Sequence, residues 1–61
     1  MKRIATATAK AWPHTYTYRL YQFGPRTFAW MAGSFRVSGL PNYRNAEAAL
    51  AAAKELGWTI V

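Results

Sequence analysis

The sequence predicts an α+β domain in which an antiparallel meander of three to four strands packs against one C-terminal α-helix. A short terminal strand follows, giving the order β-β-β-α-β. Three observations carry this expectation. Residues 3 to 12 alternate with period two, and residues 15 to 23 are rich in β-branched and aromatic strand-forming types. The connections between strand-like stretches are too short to cross over to a parallel partner. The one segment with helical spacing of apolar residues is the alanine-rich stretch from 46 to 56. With 61 residues there is room for a single domain, 1–61, near the lower size limit for a core that holds itself together.

The first strand is read over 3–12, with Arg3, Ala5, Ala7, Ala9 and Ala11 on one side and Ile4, Thr6, Thr8, Lys10 and Trp12 on the other. Pro13 has no N–H for a ladder, so the strand ends in a turn before His14. The second strand covers 15–23. Tyr16, Tyr18 and Leu20 share its core side, and Thr15, Thr17, Arg19, Tyr21 and Phe23 share the side that carries the charge and faces water. Gly24-Pro25 turns the chain. A third strand runs from about Arg26 to Met31. Gly33-Ser34 is then either a bulge in one long bent strand or a tight turn that gives a fourth strand over 35–38.

Ser38 to Tyr43 reads as loop, after which Asn45 stands where an N-cap belongs and Glu47 sits in the first turn, where the helix dipole favours a carboxylate. The helix is expected over 46–56, with Ala46, Ala49, Leu50, Ala53 and Leu56 on one stripe and Gly57 as a left-handed cap. Its small side chains let it approach the sheet closely, and alanine is also the best helix former. The tail Trp58-Thr59-Ile60-Val61 is β-forming and apolar, and returns to the sheet or pins the core.

Strands followed by one helix resemble the three-strand-plus-helix DNA-binding modules of phage integrase arm-binding domains and plant ethylene-response factors. The likeness is one of architecture. No motif of either family lies on this chain residue by residue, so no site is carried over.

Composition narrows the function. Eight Lys and Arg against two acids give a formal charge of +6, which points to an anionic partner, although charge of this size also serves solubility alone. Cysteine is absent and His14 is the only histidine, so neither a disulfide nor a metal cage is expected, and no cofactor is implied. Met1-Lys2-Arg3-Ile4 starts like the basic region of a signal peptide, but the residues that follow are too polar for its apolar segment, and the longest apolar stretch is far too short for a bilayer. The expected location is the cytoplasm, with no membrane partner. Catalysis would have to come from one His, two Glu and isolated hydroxyls, and Glu47 and Glu55 are two helical turns apart on an outward face. No phosphate-cradling glycine loop is present. The chain is therefore expected not to be an enzyme.

What remains is a combination of basic and aromatic residues in and beside the strands: Lys10, Arg19, Tyr21, Arg26, Trp30 and Arg36, with Arg44 just ahead of the helix. Guanidinium groups fork onto phosphate, and aromatic rings stack on bases. These seven residues form the candidate nucleic-acid site, with DNA ahead of RNA as the ligand. Phe28 and Trp30 have a second placement, in the core facing the helix, which would leave Thr27, Ala29 and Met31 on the outside, and the size of Trp30 favours it. A bulge at Gly33 would swap the phase of everything after it, so the direction of Arg36 stays open.

The rival function is that of a small protein-binding modulator of phage or mobile-element type, docking on an acidic surface of a host protein. Exposed strand edges would recruit a partner strand or a second copy, giving a homodimer.

Overall fold

The computed structural model describes residues 1–61. Its elements are β1 (Lys2–Ala11), β2 (His14–Gly24), β3 (Thr27–Ala32), β4 (Phe35–Arg36), α1 (Ala46–Glu55) and β5 (Thr59–Ile60). All strands join one antiparallel sheet in the order β4-β3-β2-β1-β5, so the meander has four strands and the tail returns from the helix to the opposite edge. Of the two readings of Gly33-Ser34, the tight turn holds: Gly33 has φ +63°, a conformation that costs glycine little. The helix lies on one face of the sheet and the other face has no layer over it.

Core residues come from both sides of this single interface. Ala7, Leu20, Phe28 and Trp30 of the sheet meet Ala49 and Ala53 of the helix, all buried. Alanine at the two helix contacts removes the bulk that would hold the elements apart, and the indole of Trp30 fills the space beneath. Its Nε1–H donates to the carbonyl of Ala49 at 2.9 Å, so the largest buried side chain leaves no polar atom unpaired. Trp58 extends the cluster, stacking on Tyr18 at 4.3 Å between ring centroids and meeting Trp30 edge-on at 5.3 Å.

The helix begins as expected. Asn45 is extended, and its side-chain oxygen accepts from the Ala48 N–H at 2.7 Å. It ends one residue earlier than the apolar stripe suggests: Leu56 is the C-cap and is 51% exposed. The two bonds that close it, Trp58 N–H to Ala53 O and Gly57 N–H to Lys54 O, turn the chain through Gly57 at φ +83° and aim Trp58 back at the core. The stripe keeps its helical spacing through Ala53, and the chain departs from it where this turn begins.

Two further expectations are corrected. A bulge in β1 between Arg3 and Ala5 shifts the phase, so Arg3 pairs with Tyr21 on the uncovered face while Ile4 packs on the core side with Ala5. Tyr16, read as core, is 47% exposed, because neither β3 nor the helix extends as far as the end of the β1–β2 hairpin. No helix is long and apolar enough to cross a membrane.

Candidate nucleic-acid interface

The strand pairing decides which side chains share the uncovered face, because residues directly opposite in a ladder point the same way. Leu20 pairs with Trp30 and both are buried, so their strand neighbours Arg19, Tyr21, Ala29 and Met31 belong to the other face. One row across four strands reads Thr6, Arg19, Met31, Arg36. The next row reads Arg3, Tyr21, Ala29. In the opposite direction lie Thr59, Thr8, Thr17 and then Lys10, Thr15.

The uncovered face thus gathers Arg3, Lys10, Arg19 and Arg36, half of the chain's eight cationic side chains. Both acids, Glu47 and Glu55, are exposed on the helix, which lies on the opposite side of the sheet. Charge is therefore segregated as well as excessive, and no acidic side chain of this chain lies among the guanidinium groups of the face. At about 4.8 Å per strand, Arg36 and Arg19 stand roughly 10 Å apart across the sheet, and Lys10 lies about 13 Å along the strands from Arg19. Tyr21 and Phe23 add aromatic surface beside them, with ring centroids 6.3 Å apart.

Of the seven residues expected from the sequence, Lys10, Arg19, Tyr21 and Arg36 meet on this face. Arg26 is exposed in the turn between β2 and β3, at the end of the sheet. Arg44 is exposed between the N-cap and Tyr43, which bridges to Phe28 on β3, and it shares no row with the four. Trp30 is corrected: it is 1% exposed, hydrogen-bonded to the helix, and has no free ring face for a base. Large aromatics gain most from burial, and Trp30 follows that rule.

Sequence reasoning missed two things. Arg3 joins the face only through the β1 bulge, which has neither glycine nor proline to announce it. The threonines of β1, β2 and β5 form a continuous hydroxyl-bearing strip between the cations, which requires the strand order and register to be seen.

No cluster of three or more metal-ligating side chains occurs. No family model, no curated protein and no solved structure matches this chain.

Proposed function

We propose that this chain is a double-stranded DNA-binding domain that acts by contact rather than catalysis, through the uncovered face of its sheet. The observation that carries the reading is the shared orientation of Arg3, Lys10, Arg19 and Arg36 on a face without acidic side chains. An exposed cationic surface suits a polyanion, and phosphate contacts supply most of the affinity of such an encounter.

Duplex DNA is favoured over single strands by what the face contains. With Trp30 in the core, Tyr21 and Phe23 are the stacking rings left beside the cations, whereas the strip of Thr6, Thr8, Thr17 and Thr59 offers short hydroxyl and methyl groups. The DNA major groove is about 12 Å wide and admits a two-stranded β-ribbon, whose threonines and arginines read base edges. Beyond Thr8 and Thr17 the β1–β2 hairpin is such a ribbon, with Lys10 and Thr15 on this face. Arg3, Arg19 and Arg36, on the broader part of the sheet, then stand where neighbouring backbone phosphates would lie. The deep, narrow major groove of RNA duplexes would not accept the same ribbon.

The test is fluorescence anisotropy of labelled duplex DNA, single-stranded DNA and RNA, each titrated with the protein at two salt concentrations. Duplex DNA is expected to bind most tightly, with an affinity that falls steeply as salt rises. Absence of binding to all three at low salt overturns the reading and turns attention to an acidic protein partner.

A further inference from the structure

The β1–β2 hairpin outruns the rest of the sheet. On one side β3 stops pairing with β2 at Arg19, and on the other β5 reaches β1 no further than Thr8. Three residue pairs continue alone, Ala9 with Tyr16, Lys10 with Thr15 and Ala11 with His14, before the Trp12-Pro13 turn. At about 3.4 Å per residue this is an arm of roughly 10 Å. It lies at one end of a molecule whose principal extents are 37 × 22 × 21 Å.

At its apex Trp12 is 95% exposed, while Trp30 is buried and Trp58 is half-buried in the core. Folding gives this indole nothing, since it belongs to no cluster and makes no ring pair within the chain. The other exposed large side chains of the arm are Lys10, His14 and Tyr16, and none is acidic. A large apolar ring at the end of a cationic ribbon is a wedge, and apolar wedges inserted between base pairs unstack a step and bend the duplex.

We infer that Trp12 inserts at a base step beside the footprint of the sheet, unstacking it and bending the DNA. This rests on the DNA-binding reading above and adds a position and a mechanical consequence to it. The ligand feature is the π-face of a base pair, which every sequence offers, and the wedge favours the steps that unstack most cheaply, the pyrimidine–purine ones.

The experiment uses the full chain with a duplex that carries 2-aminopurine at successive positions and a donor and acceptor dye at its ends. Binding is followed separately by anisotropy. Wild-type protein is expected to raise 2-aminopurine emission at one or two positions and to shorten the end-to-end distance. Trp12→Ala is expected to keep the fold and salt-dependent binding, lose both signals, and weaken affinity at least about fivefold, the low end for removing one base–aromatic stack. Trp12→Phe should restore part of each signal.

Binding by the wild type with no change in either signal, or equal signals from Trp12→Ala, overturns the wedge and leaves the DNA-binding reading intact. No wild-type binding overturns both. A Trp12-dependent blue shift of emission on anionic phosphatidylserine vesicles, without any response to duplex, reassigns the tip to a lipid surface and also overturns the wedge.

Discussion

The indole N–H of Trp30 and the carbonyl oxygen of Ala49, 2.9 Å apart, tie β3 to the helix at the centre of the core. The contact is possible because Ala49 has almost no side chain to keep the helix away, and the bond in turn fixes how the indole lies. Trp30→Phe removes the donor and part of the ring, and should destabilise the protein by about 1–3 kcal/mol. Trp30→Ala should cost about 3–5 kcal/mol. At about 0.05–0.15 kcal/mol per residue, a chain this short has only roughly 3–9 kcal/mol in total, so the alanine variant is expected to be largely unfolded. Urea denaturation followed by circular dichroism reads both. A Trp30→Phe midpoint equal to wild type would show that the bond contributes nothing.

Ala53 is fully buried on the same side of the helix. Ala53→Leu adds three carbons where there is no vacant space, and is expected to cost about 1–3 kcal/mol through displacement of the helix. Ala51, exposed on the same helix, provides the control. Ala51→Leu should leave the melting temperature nearly unchanged, and equal losses from the two variants would contradict the packing described here.

Gly57 reverses the chain so that Trp58 returns to the core. Its φ of +83° is strained for a side chain although no atom lies within 4 Å of where a Cβ would stand. Gly57→Ala should therefore destabilise by about 1–2 kcal/mol for backbone reasons alone. Because Trp58 contacts both Tyr18 and Trp30, a shift of this turn should also change the near-ultraviolet circular dichroism of the aromatic cluster. A variant as stable as wild type, with the same spectrum, would mean that the turn carries no such constraint.

Much of the fold is legible in the sequence, for local reasons. The alternation in Thr15 to Phe23 marks a half-buried strand, Asn45 marks a helix start, and Gly57 marks its end. These signals act over a few residues and survive without knowledge of the neighbours. What escapes is whatever depends on register. Arg3 changes face through a bulge that no glycine or proline announces, and Tyr16 is exposed because neither β3 nor the helix reaches its end of the hairpin. The candidate site suffers most from this, since a surface function depends on which side chains align across strands. Lys10, Arg19, Tyr21 and Arg36 were identifiable as a cationic and aromatic set, but Trp30 could be removed from it only once the helix was seen to cover it.

If the uncovered face is the DNA interface, position must matter and charge alone must not. Arg36→Ala and Lys54→Ala each lower the net charge by one, but Arg36 stands on the uncovered face while Lys54 is exposed in the last turn of the helix on the other side. A purely global effect would weaken binding equally in both. A localised interface predicts that Arg36→Ala weakens binding to all duplex sequences alike and reduces the slope of log affinity against log salt by about 0.9, the share of one phosphate contact. Lys54→Ala should change the slope little. Arg3→Ala should behave like Arg36→Ala if the β1 bulge is as described, and like Lys54→Ala if Arg3 lies on the helix side. Anisotropy titrations of the three variants at four or more salt concentrations separate these cases. Since all three side chains are exposed, folding is expected to be unaffected, and a matching melting temperature confirms that affinity is what changed.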